Sequence, residues 1–269
     1  MGKFIAAMDN SGGSAGGVLD LYGQDWTEEN KMERINDFRV RMIGAPDFNS
    51  DNIWAGIVYQ DSVERGIVDV LKDKDIETYL KVDSGCNPDG TLKDFPLNDM
   101  IMYATHSGCT GTKMRSVIDP ADNEDNRDTV VKVLHQQFEF AKFISDAGLM
   151  PIVEPEINIH HTRKADLELV LEEELHRYLG KFDGKCILKL TIPELSDFYC
   201  NLLDYSVLSK IVALSGGYTT QEACKRLSGQ RCMSASFSRA LAEGLQYNMT
   251  DQEFNAHIGK NIENIVKVS

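Results

Sequence analysis

No stretch of the 269-residue sequence approaches the ~20 consecutive apolar residues of a membrane span, and the N-terminus lacks the charged and apolar regions of a signal peptide. A membrane role is excluded on this reading and a cytoplasmic location is expected. Paired cysteines are missing as well. Cys86, Cys109, Cys186, Cys200, Cys224 and Cys232 are dispersed with no Cys-x-x-Cys among them, which argues against a disulfide framework or a zinc knuckle and predicts reduced, mostly structural thiols. Positive charge is scarce, with 28 Lys and Arg against 42 Asp and Glu and a formal charge of −14. Such a surface repels nucleic acid and anionic membrane, so an anionic ligand would need a local basic pocket. The six histidines form no cluster, and in the adjacent pair His160–His161 the side chains point apart on an extended chain, so neither a metal nor another cofactor is expected. No Pro/Gly/Ser-rich linker divides the chain, and a single domain over residues 1–269 is the expectation.

What is present centres on Cys186-Ile187-Leu188-Lys189-Leu190-Thr191-Ile192-Pro193, a short apolar run with one lysine in its middle. The run reads as a buried strand. Its lysine either snorkels from a strand end to water or keeps its amine inside, where burial lowers the pKa and favours Schiff-base chemistry with a carbonyl.

Other strand runs bracket it. Lys3–Met8 opens into the polar Asp9-Asn10-Ser11-Gly12-Gly13-Ser14 loop, which suits either a phosphate or a plain turn. Asn52–Tyr59, followed by a helix-like spacing of Val63, Ile67, Val70 and Leu71, then Glu77–Val82 with Lys81, and Gly111–Val117 with Lys113 and Arg115 on one face come next. Leu149–Val153 delivers Glu154-Pro155-Glu156 at its end, Lys210–Leu214 ends in Ser215-Gly216-Gly217, and Met233–Phe237 ends at Ser238-Arg239. Helical spacing begins near Asp128, runs from Ala165 to Leu179, and recurs behind a capping box at Thr250 and Glu253. The run Glu172-Glu173-Glu174 is expected on a solvated helix face.

Eight strand runs alternating with helical patterns predict an α/β fold, a (β/α)8 TIM barrel. In that fold the C-terminal strand ends form one rim. Asp9, Lys81, Lys113, Arg115, Glu154, Glu156, Lys189, Ser215, Gly216 and Arg239 all map to it, and Lys113 near Lys189 would depress the latter's pKa further. An amine that adds to a ketone and loses water gives an iminium, an electron sink for breaking the adjacent carbon–carbon bond. Glu154, Glu156 and Asp9 are available as acids and bases. This is aldolase chemistry.

Seven motifs in order, from Phe4–Ser14 through Leu80–Asp83, Gly111–Arg115, Pro151–Glu156, Leu188–Pro193, Leu214–Gly217 and Ala235–Leu241, resemble class I fructose-bisphosphate aldolase in its shorter bacterial form. The resemblance implies reversible cleavage of fructose 1,6-bisphosphate in glycolysis and gluconeogenesis. It implies Lys189 as the Schiff-base lysine, Glu154 as the acid/base for imine formation and Asp9 as the group that handles the hydroxyl proton. Lys113 would be the neighbouring electrostatic lysine and Glu156 a second carboxylate. Ser215, Gly216, Gly217 and Arg239 would hold one phosphate, Ser11, Ser14 and Lys81 would lie toward the other, and Arg115 would support. The partners implied are phosphorylated sugars, with a homo-oligomer left open. The chain departs from the animal enzymes in lacking their C-terminal tyrosine tail, which leaves the enamine-protonating group unassigned, and their N-terminal helical extension. Two rival readings are another Schiff-base enzyme, such as deoxyribose-phosphate aldolase or transaldolase, and a non-catalytic sugar-phosphate-binding barrel.

Overall fold

The computed structural model describes residues 2–121 and 125–269. In chain order the elements are β1 (Phe4–Ala7), α1 (Gly12–Tyr22), α2 (Lys31–Gly44), β2 (Ile53–Val58), α3 (Gln60–Glu64), α4 (Ile67–Asp73), β3 (Glu77–Lys81), α5 (Leu97–His106), β4 (Gly111–Ile118) and α6 (Asn126–Asp146). There follow β5 (Met150–Ile157), α7 (Lys164–Leu179), β6 (Cys186–Thr191), a 3₁₀ turn Cys200–Asp204, β7 (Leu208–Leu214), α8 (Thr220–Leu227), β8 (Met233–Phe237), α9 (Arg239–Ala242) and α10 (Asp251–Val266). The eight strands close in sequence order into one barrel, each parallel to its neighbours, with β1 pairing β8. The expected (β/α)8 barrel is the fold of this chain.

Two apolar layers hold it. Ile5, Ala7, Ala55, Ile57, Tyr79, Ile152, Ile187 and Val212 fill the barrel interior. The alternate strand residues, among them Phe4, Ala6, Val153, Leu188 and Leu190, face the helical shell and join a larger apolar core there. The period of two explains the split, because odd and even strand residues face opposite sides. α10 closes against the shell through Phe254, Ile258, Ile262 and Ile265, and its Thr250–Glu253 capping box forms as the sequence indicated.

Four expectations are corrected. β5 runs on through Glu154-Pro155-Glu156 to Ile157 instead of ending at Val153, because β4 and β5 stay in register up to Ile118 and Ile157. The stretch from Gln60 to Asp73 is two helices, not one, broken at Gly66, whose φ of 78° a helix interior cannot accommodate. Glu174 is buried, with Arg127 and Arg177 on its carboxylate, so the acidic run is not wholly solvated. Finally, Cys200 and Cys232 are joined by a disulfide, contrary to six reduced thiols. They are 32 residues apart in sequence but precede the adjacent strands β7 and β8, and that adjacency brings the two sulfurs together. Among the remaining thiols, burial pushes Cys109 up to about 11 and Cys186 up to about 12, which keeps both protonated and inert.

The crossover from β6 to β7 contains only the 3₁₀ turn. Hydrogen bonds from Gln230 Nε2 to the Leu195 carbonyl and from the Arg231 amide to Asp197 fasten it beside the disulfide. No helix among the described residues is long and apolar enough to cross a membrane.

Candidate active site

The charged side chains that the sequence assigns to the rim converge on a cavity of about 940 Å³ at the C-terminal end of the barrel. Asp9 follows β1, Lys81 ends β3, Lys113 and Arg115 come from β4, Glu154 and Glu156 from β5, and Lys189 from β6. Ser215, Gly216 and Gly217 follow β7 and Arg239 follows β8 on the same wall. Odd-numbered residues of β6 face the interior, as Ile187 does, so Lys189 is buried and its amine points inward rather than snorkelling out.

At the centre, two lysines share one carboxylate. Lys189 Nζ is 3.0 Å from Glu154 Oε1, and Lys113 Nζ is 3.1 Å from Glu154 Oε2 and 2.7 Å from Asp9 Oδ2. Asp83 completes the group, 4.0 Å from Lys113 and 3.9 Å from Lys81. Glu154 Oε2 accepts no well-directed hydrogen bond despite its ionic contact with Lys113. Farther out, Arg115 Nε donates to Glu156 at 2.6 Å.

Burial would raise the pKa of Asp9, but the charges of Lys113 and Lys189 outweigh it and hold the carboxyl well below its ordinary 3.8. Burial likewise opposes ionisation of Glu154, and the same two lysines overcome it and lower its pKa. Burial would lower the pKa of Lys113; Asp9, Glu154 and Asp83 reverse that and raise it. Lys113 is therefore a fixed cation and Asp9 and Glu154 are carboxylates across the physiological range. Lys81, Lys113, Arg115 and Lys189 face four carboxylates, Asp9, Asp83, Glu154 and Glu156. The inner cluster is balanced, so a cation for an anionic ligand has to come from its edges.

Two such edges exist. On one side Lys81 Nζ donates to Ser11 Oγ at 3.1 Å, at the start of α1, whose first turn carries no acidic residue. Ser14, in the same first turn, lines the cavity, while its hydroxyl donates back to the Ser11 carbonyl at 3.4 Å. On the other, Gly216 and Gly217 have φ of 57° and 116°. A Cβ on Gly216 would meet Ile159 at 2.7 Å, so only glycine lets the backbone turn here beside exposed Arg239.

Asp83, Asn10, Arg39, Ser236 and Ser238 also line this cavity region and were not assigned to it from the sequence. Asp83 directly follows the Lys81 strand and was legible there. Arg39 was not, because it reaches in from α2 in the outer layer, where Asp61, Ser62 and the Asn10 carbonyl take its guanidinium. Arg115 lines the same cavity as Lys113 but nearer its mouth: its side chain is 46% exposed, whereas that of Lys113 two residues before is 2% exposed. Among the described residues, the one His/Cys/Asp/Glu trio close enough to share an ion is Asp197, Cys200 and Cys232, outside this cavity, and two of its three members are bonded to each other.

Comparison with known proteins gives a consistent result. Residues 1–175 match the family model described as fructose-bisphosphate aldolase class-I. A protein named fructose-bisphosphate aldolase class 1 from Synechocystis sp. is 38% identical, with 99% of this chain and 93% of that protein covered. One of the same name from Porphyromonas gingivalis is 37% identical, covering 99% and 94%. In fold, the chain resembles a solved fructose-bisphosphate aldolase from Plasmodium falciparum at a TM-score of 0.78 and 19% identity, over 99% of this chain and 88% of that one. It also resembles an archaeal fructose-1,6-bisphosphate aldolase described with its catalytic lysine bound to a carbinolamine, at a TM-score of 0.56 and 9% identity, over 98% and 94%.

Proposed function

This chain belongs to the class I fructose-bisphosphate aldolase family, and from that premise we propose that it cleaves fructose 1,6-bisphosphate reversibly through a Schiff base on Lys189. The products are dihydroxyacetone phosphate and glyceraldehyde 3-phosphate. The observation that carries the assignment of roles is the buried Lys189 amine at 3.0 Å from the Glu154 carboxylate, with Lys113 bridging that carboxylate to Asp9.

Lys189 Nζ bonds to the ketone carbon C2 and the C2–O bond breaks as Glu154 relays two protons in turn from that nitrogen to the oxygen, which leaves as water while the nitrogen keeps its third proton as the iminium. The resulting iminium withdraws electrons from C3. Asp9, held as a carboxylate, removes the proton of the C4 hydroxyl; the C3–C4 bonding pair moves to the iminium, and the aldehyde leaves. The enamine takes a proton at C3, and water hydrolyses the imine to release the second product. Lys113 stays charged throughout and stabilises negative charge on Asp9 and on the carbinolamine oxygen. Glu156, with Arg115, sets the potential at the mouth.

The phosphates sit at the two edges. Ser215, Gly216, Gly217 and Arg239 take one through backbone amides, hydroxyl and guanidinium, and Ser11, Ser14 and Lys81 take the other with the positive end of α1 behind them. Substrates of this kind fit a cytoplasmic enzyme of sugar-phosphate metabolism.

The test is intact-mass analysis after borohydride reduction with dihydroxyacetone phosphate, with a chelator present and the modified residue mapped by digestion. An adduct on Lys189 that vanishes in Lys189→Ala is the expected result. A wild-type chain without adduct, or turnover abolished by the chelator, overturns the reading.

A further inference from the structure

β5 carries Glu154 and β6 carries Lys189, yet the ladder between these strands consists of two pairs, Ile152↔Ile187 and Val153↔Leu188. On its other side β5 pairs with β4 over all eight residues, from Gly111↔Met150 to Ile118↔Ile157. The cause of the lapse is in the sequence. Successive backbone amides along a strand point to opposite sides, and Ile157 directs its N–H and C=O toward β6, so Pro155 faces the same way. Proline has no N–H to give. The ladder therefore loses a donor at the point where Glu154 and Lys189 meet.

One side chain re-closes it. Thr191 Oγ accepts the Ile157 N–H at 2.9 Å and donates to the Ile157 carbonyl at 2.8 Å. Both residues are essentially solvent-free, Thr191 at 1% exposed, so water cannot replace either bond. On the far side, Thr191 stays in register with Leu214 of β7, as Lys189 does with Val212. Beyond it, buried Lys164 donates to the Ile192 carbonyl at 3.1 Å and fixes the strand's exit. The Glu154–Lys189 pair is thus spanned by a two-pair ladder on one side and by the Thr191 hydroxyl on the other.

Building on the Schiff-base reading above, we infer that Thr191 is a positioning residue for this reaction: its hydroxyl ties β6 to β5 at Ile157, just beyond the gap left at Pro155, and so sets the Lys189 amine against Glu154. It touches neither substrate nor reacting atoms. A displacement of about 1 Å between a nucleophile and its proton acceptor costs on the order of 100-fold in rate, which sets the size of effect to look for.

The experiment compares Thr191→Val, which keeps the shape and loses both hydrogen bonds, with Thr191→Ser, which keeps the hydroxyl. Readouts are kcat, KM for fructose 1,6-bisphosphate and the rate of borohydride trapping at Lys189, each normalised to folded protein by circular dichroism. Thr191→Val should lower kcat and the trapping rate together by about 10- to 100-fold, with KM within about 3-fold, and Thr191→Ser should recover most of the loss. If the valine variant does not accumulate folded, Thr191→Cys serves in its place, as a weak donor that should fall clearly below serine. The proposal is overturned by wild-type trapping in the valine variant, by a serine variant as impaired as its apolar or thiol counterpart, or by losses that vanish on normalisation. An unmodified Lys189 in the wild-type chain sinks the aldolase reading instead, so the two failures are distinguishable.

Discussion

Lys113 and Lys189 are joined through a single carboxylate, one contacting Oε2 and the other Oε1 of Glu154, at 3.1 and 3.0 Å. Removing that charge takes away the one carboxylate that both buried lysines contact. Glu154→Gln should therefore lower turnover by ~10²–10⁴-fold, the range for losing a general acid/base, and slow trapping at Lys189 in parallel. Steady-state kinetics checks this, and a variant within about 3-fold of wild type would rule out the role.

Asp9 contacts Lys113, not Lys189, at the salt-bridge distance. Asp9→Asn should consequently separate the two halves of the reaction. Adduct formation with dihydroxyacetone phosphate should persist while cleavage of the bisphosphate falls by on the order of 10²-fold or more. Equal loss of both would show that Asp9 acts on imine formation instead.

Arg239 donates to the Gly217 carbonyl at 3.4 Å and pairs with no carboxylate among the described residues. Arg239→Ala should raise KM for the bisphosphate on the order of 10- to 100-fold, the worth of a charge-assisted hydrogen bond to phosphate, and leave the melting temperature unchanged. Unchanged KM would remove it from the phosphate site.

The central cluster also sets a pH window for stability. The pKa values of Asp9 and Glu154 lie below their ordinary 3.8 and 4.5, so their contribution is complete above about pH 5 and is lost as pH falls through the native values. That of Lys113 is raised above 10.5, so its contribution is complete below that and is lost as pH rises through the native value. The melting temperature of Asp9→Asn should lie below wild type at neutral pH, and the gap should narrow below pH 4. A gap independent of pH would mean that Asp9 adds nothing electrostatic.

The Cys200–Cys232 disulfide closes a 32-residue separation. In the chain-entropy account a loop of that size is worth about 3–4 kcal/mol, on the order of 10 °C in melting temperature for a chain of this length. Reductant should lower the melting temperature of the wild type and not that of Cys200→Ser. Equal response, or none in either, would show that the bond adds no stability.

Much of this was legible in the sequence, for physical reasons that also explain the gaps. The barrel interior demands short apolar runs ended by polar turns, and β8 was read to the residue, Met233–Phe237. The charged residues were legible because each lies within or just after such a run. The apolar run of β5 stops at Val153, so its last four residues carry no apolar strand signal, whereas their neighbours on β4 keep the strand in register to Ile157. α1 was missed because Gly-Gly-Ser-Ala-Gly-Gly carries no helical signal; the tertiary packing of Ala15 and Leu19 supplies it. No local pattern could pair Cys200 with Cys232, since only barrel closure places β7 beside β8.

The lapse between β5 and β6 has a counterpart. β1 and β8 are likewise joined by two pairs only, Ile5↔Ser236 and Ala6↔Phe237, while every other seam has three or more. The two thin seams divide the cylinder into an arc of β1 to β5 and an arc of β6 to β8. Asp9, Lys81, Lys113 and Glu154 ride on the first, and Lys189, Ser215 and Arg239 on the second. A sugar bisphosphate gripped at both ends would bridge the arcs like a clasp, so the substrate itself would damp their breathing at the moment the nucleophile on one arc meets its proton acceptor on the other.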